Sequence, residues 1–485
     1  FARFIMSPID LKSLIINNNQ KTVIYLSGIG GIGISAIAEI LYSYGIIVIG
    51  SDQNMSSNIL RLKNKNIKIY IGQDVKNIQN HKIDYLVRST AIKDSNPEII
   101  EARAQGIQIL SRADILAAIL KLKKSVIISG SHGKTTTTSL IGHITCFGKI
   151  EPTVIAGGIM NDYNSNVIIG NGDWMVAEAD ESDGSFTVLN SSISVITNIE
   201  TEHMDYFKTE DNLKQSFLDF INKVPKSGYN VICYDDIICQ ELIYKSEQKN
   251  IISYGFSPES DIVITNVKIS DKASTFSIQS NIERLKYDES VVYELGLVGN
   301  FNILNAMAAI IVGSLLEIDN AIIRQGLKSF KGIKRRMTLI GTVGDIKIYD
   351  DYAHHPTEIE ATLLAIKNCL TKPKSKIIAV FQPHRYSRVR DHYAPFIQSL
   401  LIADKVLITD VYAAGEAPIS GISKEIICND INIKMEGKCS LIENIDQLPS
   451  YIKQFANDGD IVVCLGAGDI TKYANSLPIE LVKIL

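Results

Sequence analysis

A strand-length apolar run that breaks into glycines and opens into a helix-length segment occurs twice in this 485-residue chain. The first is "VIYLSGIGGIGISAIAEILYSYG", from Val23, and the second is "SVIISGSHGKTTTTSL", from Ser125. A strand that turns sharply into a helix leaves the first-turn amides without intrahelical acceptors, and the helix dipole points at whatever sits over the turn. Both stretches therefore specify a parallel α/β layer with an anion site at the carboxyl end of a strand. The same pattern continues in "IIVIGSD", "YLVRST", "WMVAEAD", "ISVITN" and "NVICYDD", short Ile/Val-rich runs closed by Gly, Asp or Asn.

The pattern restarts three times. A first block ends near "SRADILAAILKLKK", a second near "KSFKGIKRRM", and a third carries "SKIIAVFQPHR", "DKVLITDVYAAGE" and "DIVVCLGAGDI". The expected architecture is three α/β domains: a Rossmann-like domain over 1–122, a P-loop ATPase-type domain over 123–333 and a second Rossmann-like domain over 334–485. Between Gly255 and Leu297 the pattern is more strand-rich and polar, and reads as an inserted antiparallel piece. The longest apolar run, "AMAAIIVGSLL" from Ala306, is too short to span a bilayer and reads as a buried helix.

The net charge of −4 gives no electrostatic case for nucleic acid or an anionic membrane. No charged segment leading into an apolar run and a small-residue cleavage site stands at the N-terminus, so export is not expected; "FARFI" before Met6 reads equally as native or appended. The seven cysteines (Cys146, Cys233, Cys239, Cys369, Cys428, Cys439, Cys464) are odd in number and form no CxxC pair. They read as reduced, buried thiols of a cytoplasmic protein.

In the first loop Gly28, Gly30 and Gly33 satisfy G-x-G-x-x-G, with Gly31 between them, and Asp52 ends the next strand about 20 residues on. Any diphosphate joined to a sugar satisfies this geometry, so the motif alone leaves a nicotinamide cofactor, another nucleotide or a structural turn open. The second loop is more specific. Lys134 can reach terminal phosphates, Thr135 can ligate Mg²⁺, and the amides from Gly130 through Ser131, His132, Gly133 and Thr136 can form an anion nest for ATP. The loop is shorter than the usual G-x-x-x-x-G-K-T, whose first Gly would fall on Ile128. Bound Mg-ATP requires further hard ligands at neighbouring strand ends. "VAEADESDGSF" offers Glu178, Asp180, Glu181 and Asp183, and "VITNIETEHMDYF" offers Asn198, Glu202, His203 and Asp205. Glu178 is the first choice for metal; His203 reads equally as a ligand or as a hydrogen-bonded loop residue.

"GIGGIG", "GSHGKTTT", "EADESDGSF", "TNIETEHMDYF", "NFNILNA", "GIKRRM", "DDYAHHPTEI", "FQPHRYSR" and "DVYAAGEAPISG" follow one another along nearly the whole chain. Together they resemble the Mur ligases of peptidoglycan synthesis, and the last four resemble the member that adds L-alanine to UDP-N-acetylmuramate. The resemblance implies that Gly28 to Gly33, Asp52, Ser89 and Thr90 line the pocket for the UDP group. It implies that Gly130 to Thr136 hold ATP, that Lys134 holds the transferred phosphoryl group, and that Thr135, Glu178 and His203 hold Mg²⁺. Asn302 and Asn305 would contact the adenine, and Arg336 and Asp351 would close over the nucleotide. His354, His355, His384, Arg385 and Arg388 would face the amino acid and the reacting phosphate. The family usually has His where Phe301 stands, and Phe can pack on an adenine but cannot hydrogen-bond to it.

The implied reaction passes through an acyl phosphate that the amine of L-alanine attacks, with domain closure excluding water. His354, His355 and His384 are the candidate proton acceptors, and spacing does not choose among them. The implied setting is cytoplasmic cell-wall synthesis, linked to cell shape and division, by a monomer or homodimer. A family member adding a pre-made peptide and an ATP-switched binding protein are the alternatives.

Overall fold

The structure, a computed structural model, describes residues 9–16, 21–182 and 184–484. "FARFI" and Asp183 lie outside the described residues. The chain builds three α/β layers and divides into two compact units. One unit takes the chain up to Thr265 together with 278–291 and 304–327; the other takes 266–277, 292–303 and 328–485.

The first unit holds two sheets. One has five parallel strands in the spatial order Lys68–Ile71, Ile47–Asp52, Val23–Ser27, Tyr85–Arg88, Gln108–Ser111. Val23–Ser27 is central, and the strands wind away from it in both directions. The loop after Ser27 therefore opens at the switch point, where a doubly wound sheet leaves a crevice. In the other sheet Lys124–Ser129 lies between Ile193–Ile196 and Trp174–Glu178, parallel to both. The loop after Ser129 is thus flanked by the ends of the two strands that carry "TNIETEH" and "EADES". The strands Tyr229–Cys233 and Ile251–Gly255 continue the sheet in parallel on one side, and Thr153–Met160 on the other. Ser165–Ile168 closes that edge as an antiparallel hairpin partner.

In the second unit six strands run in the order Thr338–Val343, Ile346–Asp351, Ile461–Leu465, Ile377–Phe381, Lys405–Ile408, Cys439–Leu441. All neighbours are parallel except the edge hairpin formed by the first two.

The expected antiparallel insertion holds only in part. Ser274 to Phe276 pair antiparallel with Tyr293 to Leu295. Tyr254 and Gly255, by contrast, pair in parallel with Ile262 and Val263. The polar alternation that suggested a separate insertion belongs to strands with one solvated face. "AMAAIIVGSLL" lies in the helix Asn300–Leu315, with Ala306 to Val312 fully buried. Among the described residues no helix is long and apolar enough to cross a membrane. All seven cysteines are free thiols, six of them buried and Cys146 half-buried.

Candidate functional site

The first loop leaves the strand Val23–Ser27 and enters the helix Ile32–Ser43 through Gly28, Gly30 and Gly31. Gly28 sits at φ +79, where a Cβ would also meet Ser89 at 2.9 Å, so only glycine fits without strain. The amides of Gly28 and Ile29 both donate to the Ser51 carbonyl at 2.9 Å, and Gly31 donates to the Gly28 carbonyl at 3.2 Å. Gly30 donates to Asp52 Oδ2 at 2.9 Å. The amides of Gly28, Ile29 and Gly30 are thus spent on the neighbouring strand, and that of Gly31 within the loop itself. The donors left to face an anion are those of the first helical turn, Ile32 to Ile34. Asp52 braces the loop with one oxygen and accepts from the Asn54 amide with the other at 3.3 Å. Ser89 lies against Gly28, and Thr90 follows in an exposed turn. Gly33 lies against the Arg112 side chain.

The second loop leaves Lys124–Ser129 and enters the helix Lys134–Phe147, with Gly133 at φ +81 as its N-cap. Its shape is set by the adjoining strand end. Ser131 donates to the Asn198 carbonyl and His132 to Asn198 Oδ1, each at 2.9 Å. Thr197 Oγ1 and Asn198 Nδ2 in turn donate to the His132 carbonyl at 2.6 and 3.1 Å. A Cβ on Gly130 would stand 2.3 Å from Thr197 Oγ1, so the loop can approach this strand only as glycine. The Lys134 ammonium donates to the carbonyls of Gly130 and Ser131 and lies 2.8 Å from Glu181 Oε2. Burial alone would lower its pKa, but Glu181, Glu178 and Asp180 together raise it, so Lys134 stays cationic.

Thr135 Oγ1 lies 2.9 Å from Glu178 Oε2, which also accepts from the Gly157 amide at 2.7 Å. A hydroxyl from the first turn of one helix and a carboxylate at a neighbouring strand end form an oxygen donor pair that fits Mg²⁺. His203 Nε2 stands 3.6 Å from Glu181 and 3.7 Å from Glu202. Burial pushes its pKa down, and Glu181, Glu202 and Asp180 more than offset this, raising it. His132 Nε2 lies 3.4 Å from Glu200. Thr136 is buried in the first turn of the helix. Asn305 packs against Gly133 and accepts from Thr137 Oγ1 at 3.0 Å.

The second unit gathers its own polar cluster. Asp351 ends the strand Ile346–Asp351 and accepts the amides of Met337 and Ala353, both at 2.7 Å. Burial pushes its pKa up to about 6, against the pull of Arg336 and those two amides. Arg336 stacks over Tyr352 at 5.4 Å and reaches Glu358 at 3.4 Å. His354 and His355 point different ways. His354 Nδ1 lies 2.9 Å from the Tyr352 carbonyl, and its ring stands edge-on to His384 at 5.8 Å. His355 is buried edge-on against His392 at 4.6 Å, as N-cap of the helix Pro356–Asn368.

His384 stacks on Tyr412 at 5.5 Å, with Arg388 Nη1 at 3.3 Å from its Nδ1. Burial, His354, Arg388 and Arg385 push its pKa down to about 4, so the imidazole is neutral at physiological pH. Arg385 sits at φ +68 before the helix Tyr386–Asp391, and its amide donates to the Tyr412 carbonyl at 2.9 Å. Asn302 Nδ2 donates to the Val298 carbonyl at 2.9 Å, and the Phe301 ring packs on Gly299.

Three family models cover most of the chain: "Mur ligase family, catalytic domain" over 23–124, "Mur ligase middle domain" over 128–313 and "Mur ligase, glutamate ligase domain" over 335–468. Proteins named UDP-N-acetylmuramate–L-alanine ligase from Parvibaculum lavamentivorans and Agrobacterium fabrum are each 42% identical to it. The matches span 95% of this chain and 93% and 97% of the two relatives. The chain belongs to the Mur ligase family.

A crystal structure of UDP-N-acetylmuramate–alanine ligase MurC from Thermotoga maritima is similar, with TM-score 0.79, 26% identity, and 94% of this chain and 97% of that one covered. A murein peptide ligase from Psychrobacter arcticus shares the fold at TM-score 0.68 and 23% identity, over 96% and 99% of the two chains. In this Mur ligase the structure also assigns contacts that motif reading left unassigned. Glu181 is the ion-pair partner of Lys134, and Asn198 shapes the loop rather than standing free as a ligand. Glu416, inside "DVYAAGEAPISG", accepts the Ser387 hydroxyl at 2.6 Å and its amide at 3.0 Å. Its place in a motif was the available signal; its partner is not readable from spacing.

Proposed function

We propose that this chain joins L-alanine to the lactyl carboxylate of UDP-N-acetylmuramate at the expense of ATP, in cytoplasmic peptidoglycan precursor synthesis. One observation carries the reading. A single unit holds two anion loops of different kinds, and only the second places a buried lysine and a threonine against Glu181 and Glu178. One loop is built to hold and the other to react. The relatives that are 42% identical over 95% of this chain bear the corresponding name.

The division of labour proposed is by segment: 1–122 for the UDP group, 123–333 for ATP and 334–485 for the amino acid. A carboxylate resists nucleophiles because its charge repels them and oxide cannot leave. Transfer of the γ-phosphoryl group to the lactyl oxygen, with ADP departing, makes phosphate the leaving group. The amine then attacks the carbonyl carbon, and phosphate departs as the amide forms. Lys134 neutralises charge on the transferred phosphoryl group. Thr135, Glu178 and His203 would hold Mg²⁺, which supplies charge neutralisation at the phosphates when bound. Asn302 and Asn305 serve the adenine, and Arg336, Asp351, Arg385 and Arg388 serve the phosphates and the amino acid. His354 and His384, whose rings stand edge-on at 5.8 Å, are the candidates to take the proton of the incoming amine, and in the neutral His384 ring the Arg388 guanidinium occupies Nδ1 as acceptor; His355 lies buried against His392.

The test is phosphate release from Mg-ATP with UDP-N-acetylmuramate, with and without L-alanine, L-serine or glycine. Release that depends on L-alanine is expected. Release that depends only on a peptide would mean a peptide-adding ligase, and no amine-dependent release would remove the ligase reading.

A further inference from the structure

Arg112 touches both loops. Its side chain lies along the first: a methyl group on Gly33 would stand 3.3 Å from Nη1 and 3.4 Å from Cδ. On its other side Nη2 donates to Asp180 Oδ2 at 3.3 Å. Asp180 stands in "EADES" between Glu178, the oxygen partner of Thr135, and Glu181, the partner of Lys134. The backbone places Arg112 firmly. It opens the helix Arg112–Leu120 behind a reciprocal cap between Ser111 and Asp114. The first turn of the helix Ile32–Ser43 is fixed as well: fully buried Asn166 donates to the Ile32 carbonyl at 2.8 Å and accepts from Arg61 at 2.8 Å.

The Arg112–Asp180 contact is weak by construction. It is a single long hydrogen bond, and the Asp180 side chain is 45% exposed. A diphosphate over the first helical turn would offer more charge and a bidentate acceptor, the partner a guanidinium prefers.

We propose that Arg112 is a diphosphate-binding residue that the first loop shares with Asp180, so that the arriving UDP substrate takes the guanidinium and releases the Asp180 carboxylate to the cation side of the ATP loop. This rests on the reading that the first loop holds the UDP group. It gives Gly33 a reason beyond the turn, since a side chain there would push the guanidinium away. It also makes the two ligands cooperative. UDP-substrate binding leaves the acidic strand end more negative and favours Mg-nucleotide, and linkage requires the reverse effect to be equal.

The experiment is titration calorimetry on the full chain with UDP-N-acetylmuramate, without nucleotide or Mg²⁺. If the wild-type chain does not bind UDP-N-acetylmuramate, the reading of the first loop fails before this proposal is tested. Arg112→Gln is expected to weaken binding roughly 10- to 100-fold, with Arg112→Lys between it and wild type. Asp180→Asn is expected to tighten binding by roughly 3- to 10-fold, because the guanidinium is then free. In Asp180→Asn, UDP-N-acetylmuramate should no longer tighten binding of Mg²⁺ with a non-hydrolysable ATP analogue. A brace between the loops would give weakening in both variants, a result that overturns the proposal. So does an Asp180→Asn chain that binds no tighter than wild type, or an Arg112→Gln chain that binds equally well. Tightening by Asp180→Asn cannot arise from misfolding, so the opposite signs keep the test decisive.

Discussion

Removing the Glu98 carboxylate should loosen the first loop from below. Glu98 is fully buried, and its two oxygens take four donors. Oε1 accepts the Tyr25 hydroxyl at 2.7 Å and Asn77 Nδ2 at 2.9 Å. Oε2 accepts the Ser27 hydroxyl at 2.6 Å and the Ser51 hydroxyl at 2.7 Å. Ser27 and Ser51 lie at the ends of the strands Val23–Ser27 and Ile47–Asp52, and the Ser51 carbonyl holds the Gly28 and Ile29 amides. One acid thus ties together both strand ends from which the loop hangs.

In Glu98→Ala four buried donors lose their acceptor. Each unpaired buried group costs about 1–3 kcal/mol. Hydroxyls can rotate and water can enter a polar cavity, so the lower end of that range applies, about 4 kcal/mol in all. In Glu98→Gln one oxygen remains for Tyr25 and Asn77, while the new amide faces two serine hydroxyls that can turn to accept. The cost should fall to about 1–2 kcal/mol. Because a chain of several domains does not unfold in one step, the assay is native-state amide exchange along Val23–Ser27 and Ile47–Asp52. A 4 kcal/mol loss appears there as roughly 10³-fold faster opening. Glu98→Ala protection within about 1 kcal/mol of wild type, or a Gln variant worse than Ala, would refute the reasoning.

Lys134→Ala should lower ligation at least about 10²-fold in kcat while calorimetry shows unaltered UDP-N-acetylmuramate affinity. Loss of that affinity would contradict the separation of the two loops. Gly157→Ala would set a Cβ 2.5 Å from Glu178 Oε2 and push the carboxylate off Thr135. The Mg²⁺ concentration for half-maximal activity should rise roughly 10- to 100-fold, and an unchanged metal titration would disprove the pairing. His384, with a folded pKa of about 4 against 6.5, stays neutral while the unfolded chain takes up a proton. Stability is therefore lost as pH falls from 6.5 towards 4, by at most about 3 kcal/mol before screening, and His384→Asn should flatten that limb in native-state amide exchange along Ile377–Phe381. Asp351 has the opposite sign. Its folded pKa of about 6 against 3.8 makes stability fall as pH rises through that window, and Asp351→Asn should remove the loss.

The strands were legible because both faces of a parallel sheet are buried, so each reads as a continuous apolar run. The shorter strands Lys68–Ile71 and Gln108–Ser111 form the two edges of the first sheet and carry a mixed pattern, so they gave no such run. The loops were legible because glycine at positive φ and lysine beside it are local requirements. What spacing could not reveal is which distant residue completes each loop. Glu98 lies 71 residues from Ser27, and Asn198 lies 66 from His132; only the sheet order makes them neighbours.

That limit bears on how acids near a phosphate loop should be read. Glu178, Asp180 and Glu181 look alike in sequence, yet one faces a hydroxyl and a backbone amide, one a guanidinium and one a buried ammonium. Of these environments only the first has two neutral partners, a hydroxyl and a backbone N–H, so that a divalent cation could join the carboxylate and the hydroxyl oxygen without displacing a cation already present. The ion-paired acids set the charge of the site, and the acid paired to neutral donors is the one that can exchange them for metal. In a strand end with several carboxylates, the one whose partners carry no charge is therefore the one best placed to take a cation, a distinction that burial and spacing alone do not make.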